Sequence, residues 1–88
     1  MGMHDKTLKF VTNLDRSAIE ARLADARRAA QGAGLTELAS LFNETEGMPR
    51  AQIEQRVGNA LRWLADKPEH QSIRAMLELV EINIPNLK

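Results

Sequence analysis

Apolar residues recur at spacings of three and four along three stretches of this chain, and that periodicity constrains the fold more than any other feature. Ile19, Leu23, Ala26 and Ala30 form one series, and Ile53, Val57, Ala60, Leu61 and Leu64 a second; Ile73, Met76, Leu77, Val80 and Ile84 form the third. At about 100° per residue each series gathers on one side of an α-helix, whereas a half-buried strand requires alternation. Ala and Leu dominate the apolar content, and the aromatic residues are limited to Phe10, Phe42 and Trp63. That composition favours helices over strands.

Residues between the stretches set the expected boundaries. Ser17 with Glu20 three positions on reads as a capping box, and Gly32-Ala33-Gly34 as the stop of the first helix. Thr36 is a candidate cap for a short second helix whose buried side is Leu38, Leu41 and Phe42. A polar turn, Asn43 to Gly47, follows, and Pro49 and Pro68 suit the first positions of the third and fourth helices. The fold class predicted is all-α, a bundle of four helices near 17–31, 36–43, 49–66 and 68–83. Helices three and four, with little more than Lys67 between them, should be antiparallel neighbours. Ala51, Gly58 and Ala65 repeat every seven residues on helix three. Close approach of another backbone to this ridge is expected to offset the roughly 1 kcal/mol that a mid-helix glycine costs.

Residues 1–14 show no helical period, so they are expected to form an N-terminal arm: disordered, irregular, or a short strand at Leu8–Thr12. Residues 15–88 then make a single helical domain. A chain of 88 residues has a modest core, and without cysteine it has neither disulfide nor thiolate metal site to reinforce it. No run reaches the length of a membrane span and no basic-then-apolar leader is present, so a cytoplasmic location with no membrane partner is expected.

The material for catalysis is thin. The histidines are His4 and His70, and the carboxylates read as caps, turns and helix surface rather than as an acid held in an apolar pocket. The expectation is a non-enzyme with no catalytic residue, cofactor or metal. Glu44, Glu46 and Gly47 resemble part of a calcium loop, but with Gly47 at the sixth position the first falls on Phe42 and the twelfth on Ile53, neither an oxygen ligand. Gly32-Ala33-Gly34 joins helix to helix and lacks the further glycines and lysine of a phosphate loop. The arginines of helix one (Arg16, Arg22, Arg27, Arg28) make no stripe and read as solvated, with Asp25–Arg28 a local pair.

Two surfaces remain. Opposite its apolar stripe, helix three carries Gln52, Gln55, Arg56, Asn59, Arg62 and Trp63, with Arg50 on the flank. Arg and Trp are enriched in binding hot spots, which makes Arg56, Arg62 and Trp63 candidate contacts for a protein partner. The competing reading has Trp63 covering the edge of the core, with Arg56 or Arg62 along its ring. Arg50, Gln52, Gln55, Arg56 and Asn59 are alternatively a face that reads base edges in the major groove, with helices two and three as a helix-turn-helix-like pair. Against it stand the zero net charge, from 12 basic and 12 acidic residues, and the long turn from Asn43 to Met48. Helix four is apolar on two sides: Ala75, Leu79 and Ile82 lie opposite its main stripe and are candidate self-association residues. The function expected is therefore a small non-enzymatic protein–protein interaction or regulatory module whose partner is an unidentified protein or a second copy. A nucleic-acid-binding protein is the alternative.

Overall fold

The computed structural model describes residues 14–87, so the expected arm, Leu14 apart, lies outside the described residues. Four α-helices follow one another: α1 (Arg16–Gly32), α2 (Thr36–Ser40), α3 (Arg50–Leu64) and α4 (Gln71–Asn83). Single 3-10 turns, Pro68–His70 and Ile84–Asn86, precede and follow α4, and the described residues contain no strand. The all-α bundle predicted from periodicity is the fold observed.

The three apolar stripes form its core. Ile19, Leu23, Ala26 and Ala30 of α1 are buried, as are Ile53, Val57, Ala60 and Leu64 of α3 and Ile73, Leu77 and Val80 of α4. Leu38, Phe42, Met48, Ile84 and Leu87 complete one continuous cluster. Helix α4 is central, packing against both α1 and α3, while α2 leans on α1. The turn at Pro68–His70 follows closely on α3, and Ile84–Asn86, at the far end of α4, still touches α3. Helices α3 and α4 therefore run antiparallel, as their short connection predicted. Half of the residues that α1 buries are alanines, Ala26 and Ala30, which remove less apolar area from water than Ile19 and Leu23 do.

The boundaries differ from the sequence reading in instructive ways. Asp15, not Ser17, caps α1: its Oδ1 accepts from the Ala18 N–H at 2.8 Å, three residues on. Thr36 makes no capping bond, and Leu35 occupies the cap position of α2. Pro49 is itself the cap residue of α3 rather than its first helical residue, and α3 ends at Leu64, two residues short of Asp66. Pro68 opens a 3-10 turn, so α4 proper begins at Gln71. The α1 stop falls where the glycines predicted. Gly34 adopts φ +77°, Leu35 N–H reaches back to the Ala30 carbonyl at 2.8 Å, and Gly34 N–H to that of Gln31 at 3.1 Å. This pair of bonds is the Schellman closure, and it requires the left-handed conformation that glycine adopts without a Cβ penalty.

One expectation fails outright. A Cβ built on Gly58 would meet nothing within 4 Å, and Ala51 and Ala65 are exposed, so among the described residues no backbone packs on the small-residue ridge. The ridge faces away from the core because the stripe of Ile53, Val57 and Ala60 is the buried side of α3, the helix that packs against α4.

Candidate interaction surfaces

The polar face of α3 is divided by what its side chains already hold. Arg56, half-buried, donates from Nη1 to the Leu41 carbonyl at 3.0 Å, tying α3 to the end of α2. A helix leaves its last carbonyls without intrahelical partners, and Leu41 follows α2 directly, so Arg56 supplies the missing donor there. Arg62 is exposed and, among the described residues, reaches only Asn59 Oδ1, at 3.5 Å. Arg50, Gln52, Gln55 and Asn59 are likewise exposed. The sequence brought Arg56 together with Asn59 and Gln52; the structure turns Arg56 inward and leaves the others in solvent.

Trp63 is half-buried and packs against the core, but neither arginine lies on its ring. Lys67 does. Its Nζ stands 4.1 Å from the ring centroid and donates to the Trp63 carbonyl at 3.0 Å and to Asp66 Oδ1 at 3.1 Å. The ammonium thus offsets the negative end of α3 while using the indole face. Its hydrogen bond and its charge together hold the exposed Asp66 carboxyl below the ordinary aspartate range. The expected Arg–Trp stack is corrected to a Lys–Trp one for a geometric reason: four residues past Trp63 the chain has left the helix, so Lys67 can fold back over the last turn.

Residues to which the sequence assigned no long-range contact do much of the positioning. Asn83 is 1% exposed, and its Oδ1 accepts from the Leu14 N–H at 2.8 Å and from Asn86 Nδ2 at 3.1 Å. Its own Nδ2 donates to the Leu79 carbonyl at 2.9 Å, and Asn86 Nδ2 also reaches the Leu14 carbonyl at 2.9 Å. These bonds clamp the entry to α1 onto the exit from α4. At the other side of α1, Glu20 Oε2 accepts from the Gly47 N–H at 2.9 Å and from Arg16 Nη1 at 3.3 Å, while that same nitrogen donates to the Met48 carbonyl at 3.1 Å. Arg16, read from sequence as solvated, is therefore part of a clasp that holds the segment before α3. The polar turn is correspondingly not all solvated: Thr45 and Met48 are buried, and Glu44 and Glu46 project outward. The expected Asp25–Arg28 pair is present.

Between α1 and the segment 42–46 lies an open cleft of about 510 Å³, lined by Ala21, Ala24, Arg27, Phe42, Thr45 and Glu46 among others. Arg27 Nε is buried there without a hydrogen-bond partner among the described residues. Glu20, Glu44 and Glu46 line the same cleft, so Arg27 is its one lining cation against three carboxylates and the lining is net acidic. No group of three or more metal-ligating side chains occurs among the described residues.

The outer face of α4 is different in kind. Ile82 is 61% exposed, the described large hydrophobic residue that stands in solvent. Ala75 is exposed on the same face and Leu79, half-buried, forms its shoulder. The structure thus brings together the three residues singled out for self-association. The chain matches no protein-family model, no curated protein and no solved structure. Site geometry alone therefore carries the functional argument. Among the described residues no helix is long and apolar enough to cross a membrane.

Proposed function

We propose that this chain is a small non-enzymatic interaction module that makes its contact through the outer face of α4, associating with a second copy of itself. The observation that carries the reading is the exposure of Ile82 beside Ala75 and Leu79, on a helix whose opposite side already fills the core. At 61% exposure Ile82 forgoes roughly 1–2 kcal/mol of burial, which a docked surface recovers. The chain's lack of cysteine supports a cytoplasmic setting for the module.

Sedimentation velocity over roughly 0.01–1 mM, the range a small interface needs, tests the proposal. The weight-average sedimentation coefficient of the wild type should rise with concentration, and Ile82→Glu should hold it at the monomer value. A wild type that stays monomeric throughout would refute the reading.

A second reading, nucleic-acid binding through α3, is favoured by the exposure of Gln52, Gln55 and Asn59 along one side of that helix, with Arg50 exposed on the flank at its start. Arg56 is committed to the Leu41 carbonyl, which leaves this face without its central cation. Trp63 is the sole tryptophan and borders the face, so its fluorescence during a titration with duplex DNA at low salt reports on the question. Quenching that added salt reverses would support binding, since phosphate contacts weaken with ionic strength; an unchanged signal would exclude this face.

A further inference from the structure

The cleft between α1 and residues 42–46 has an apolar floor, an acidic rim and one buried cation, Arg27. We propose that it is the docking site for residues 5–10 of the same chain, laid along α1 and antiparallel to it. This contact is separate from the outer face of α4 and does not depend on it.

Reach is the first argument. The chain enters the described structure at Leu14, which Asn83 and Asn86 hold by its N–H and its carbonyl. Ser17, three positions on, lines one end of the cleft, and Arg27 lines the other. At a rise of about 1.5 Å per residue these two stand about 15 Å apart along α1. An extended chain covers about 3.3 Å per residue, so residues running back from Leu14 come level with Ala21 at Phe10 and with Ala24 at Leu8. Leu8–Thr12 is also the stretch whose sequence suits a short extended segment. Alternate side chains of an extended chain share a face. Leu8 and Phe10 therefore turn together onto the floor of Ala21, Ala24 and Phe42, and Lys9 stands on the open side.

Charge selects the same segment and the same direction. The cleft lining is net acidic, and residues 5–10 carry Lys6 and Lys9 against the single acid Asp5. Order matters as much as the sum. The Gly47 N–H bond to Glu20 draws Glu46 to the Glu20 end of the cleft, ahead of Arg27 on α1. Counting back from Leu14, Lys9 comes level with that acidic end, and Asp5 has length to spare to reach Arg27. Arg27 Nε is buried without a hydrogen-bond partner among the described residues, a costly state for a donor, and the Asp5 carboxylate supplies the acceptor. The reverse direction would set Asp5 among the glutamates.

Tethering favours this occupant over a second copy or a free peptide. A segment joined to its site by a few residues acts at an effective concentration in the millimolar range, above that of any untethered competitor in dilute solution.

Because the chain has no cysteine, paired cysteine variants of the full chain test the seating. Leu8→Cys with Ala24→Cys puts one thiol on the segment and one in the cleft. Leu8→Cys with Arg22→Cys closes a loop of similar length on the other side of α1, where Arg22 is exposed. A disulfide needs Cα atoms roughly 4–7 Å apart, so in a glutathione redox buffer the 8–24 bridge should form about 10-fold more favourably than the 8–22 bridge. Adding Lys6→Glu and Lys9→Glu should bring the two bridges close to parity, because the segment then meets the acidic rim with like charge. Circular dichroism of each variant confirms that it is folded. Equal bridges in the otherwise unaltered chain would overturn the proposal, as would an 8–24 excess that the charge reversal leaves intact. Bridges that join two chains rather than closing within one would overturn it as well.

Discussion

Replacing Asn83 by alanine should remove the clamp that joins the two ends of the bundle. Asn83 is 1% exposed and takes part in three hydrogen bonds, two accepted by Oδ1 and one donated by Nδ2. The largest loss concerns the Leu14 N–H, whose acceptor disappears at a half-buried position; leaving such a group unpaired costs about 1–3 kcal/mol. The void adds to this, and the better helix propensity of alanine returns a few tenths of a kcal/mol near the end of α4. The net expectation is a destabilisation of about 2–3 kcal/mol, against a total of roughly 4–13 kcal/mol for a domain of this length. With a urea m-value of about 1 kcal/mol/M the unfolding midpoint should fall by about 2 M or more. Hydrogen exchange supplies an independent check, since the Leu14 amide should be protected in the wild type and lose that protection in the variant before global unfolding. A midpoint within about 0.3 M of wild type, together with unchanged Leu14 exchange, would refute the account of Asn83 as the tie between α1 and α4.

Gly58→Ala should stabilise the fold by about 0.8–1 kcal/mol, because the added methyl meets no neighbour and the backbone is helical; a thermal midpoint raised by about 4–8 °C checks it, and a lowered one refutes the open environment. Arg56→Ala should destabilise by about 1–2 kcal/mol through the unpaired Leu41 carbonyl, measured by urea unfolding, and an unchanged midpoint would return Arg56 to the surface. Lys67→Met should bring the Asp66 pKa back up to the ordinary aspartate range in a carboxyl-resonance titration and shift the Trp63 emission. The sign for stability follows: with Lys67 present the lowered pKa favours the fold above the unfolded-state value, and that contribution is lost as pH falls through the folded-state value. An Asp66 titration unaffected by the substitution would refute the pairing.

The bundle was legible because its determinants are local. The stripe of Ile19, Leu23, Ala26 and Ala30 declares a buried helix face from spacing alone, and so do the stripes on α3 and α4. The Gly34 stop is equally local, since one residue's freedom at positive φ decides it. The second apolar side of α4 was legible for the same reason, and it remained exposed because α1 and α3 cover only the opposite side. Even the errors at helix starts are local ones: Ser17 and Asp15 both offer a capping oxygen, and only the fixed direction of the incoming chain selects between them.

What the sequence could not declare is every interaction that joins distant positions. Asn83 meets Leu14 across 69 residues, Arg16 meets Met48 across 32, and Glu20 meets Gly47 across 27. No periodicity marks such pairs, because a polar side chain at a helix edge looks the same whether water or a distant backbone group satisfies it. Arg56 shows the consequence: sequence places it at the centre of an outward polar face, and the end of α2, brought alongside by the tertiary fold, turns it inward. Periodicity determined which faces this protein buries. Tertiary structure decided which polar groups are spent holding it together, and which face of α4 is left exposed.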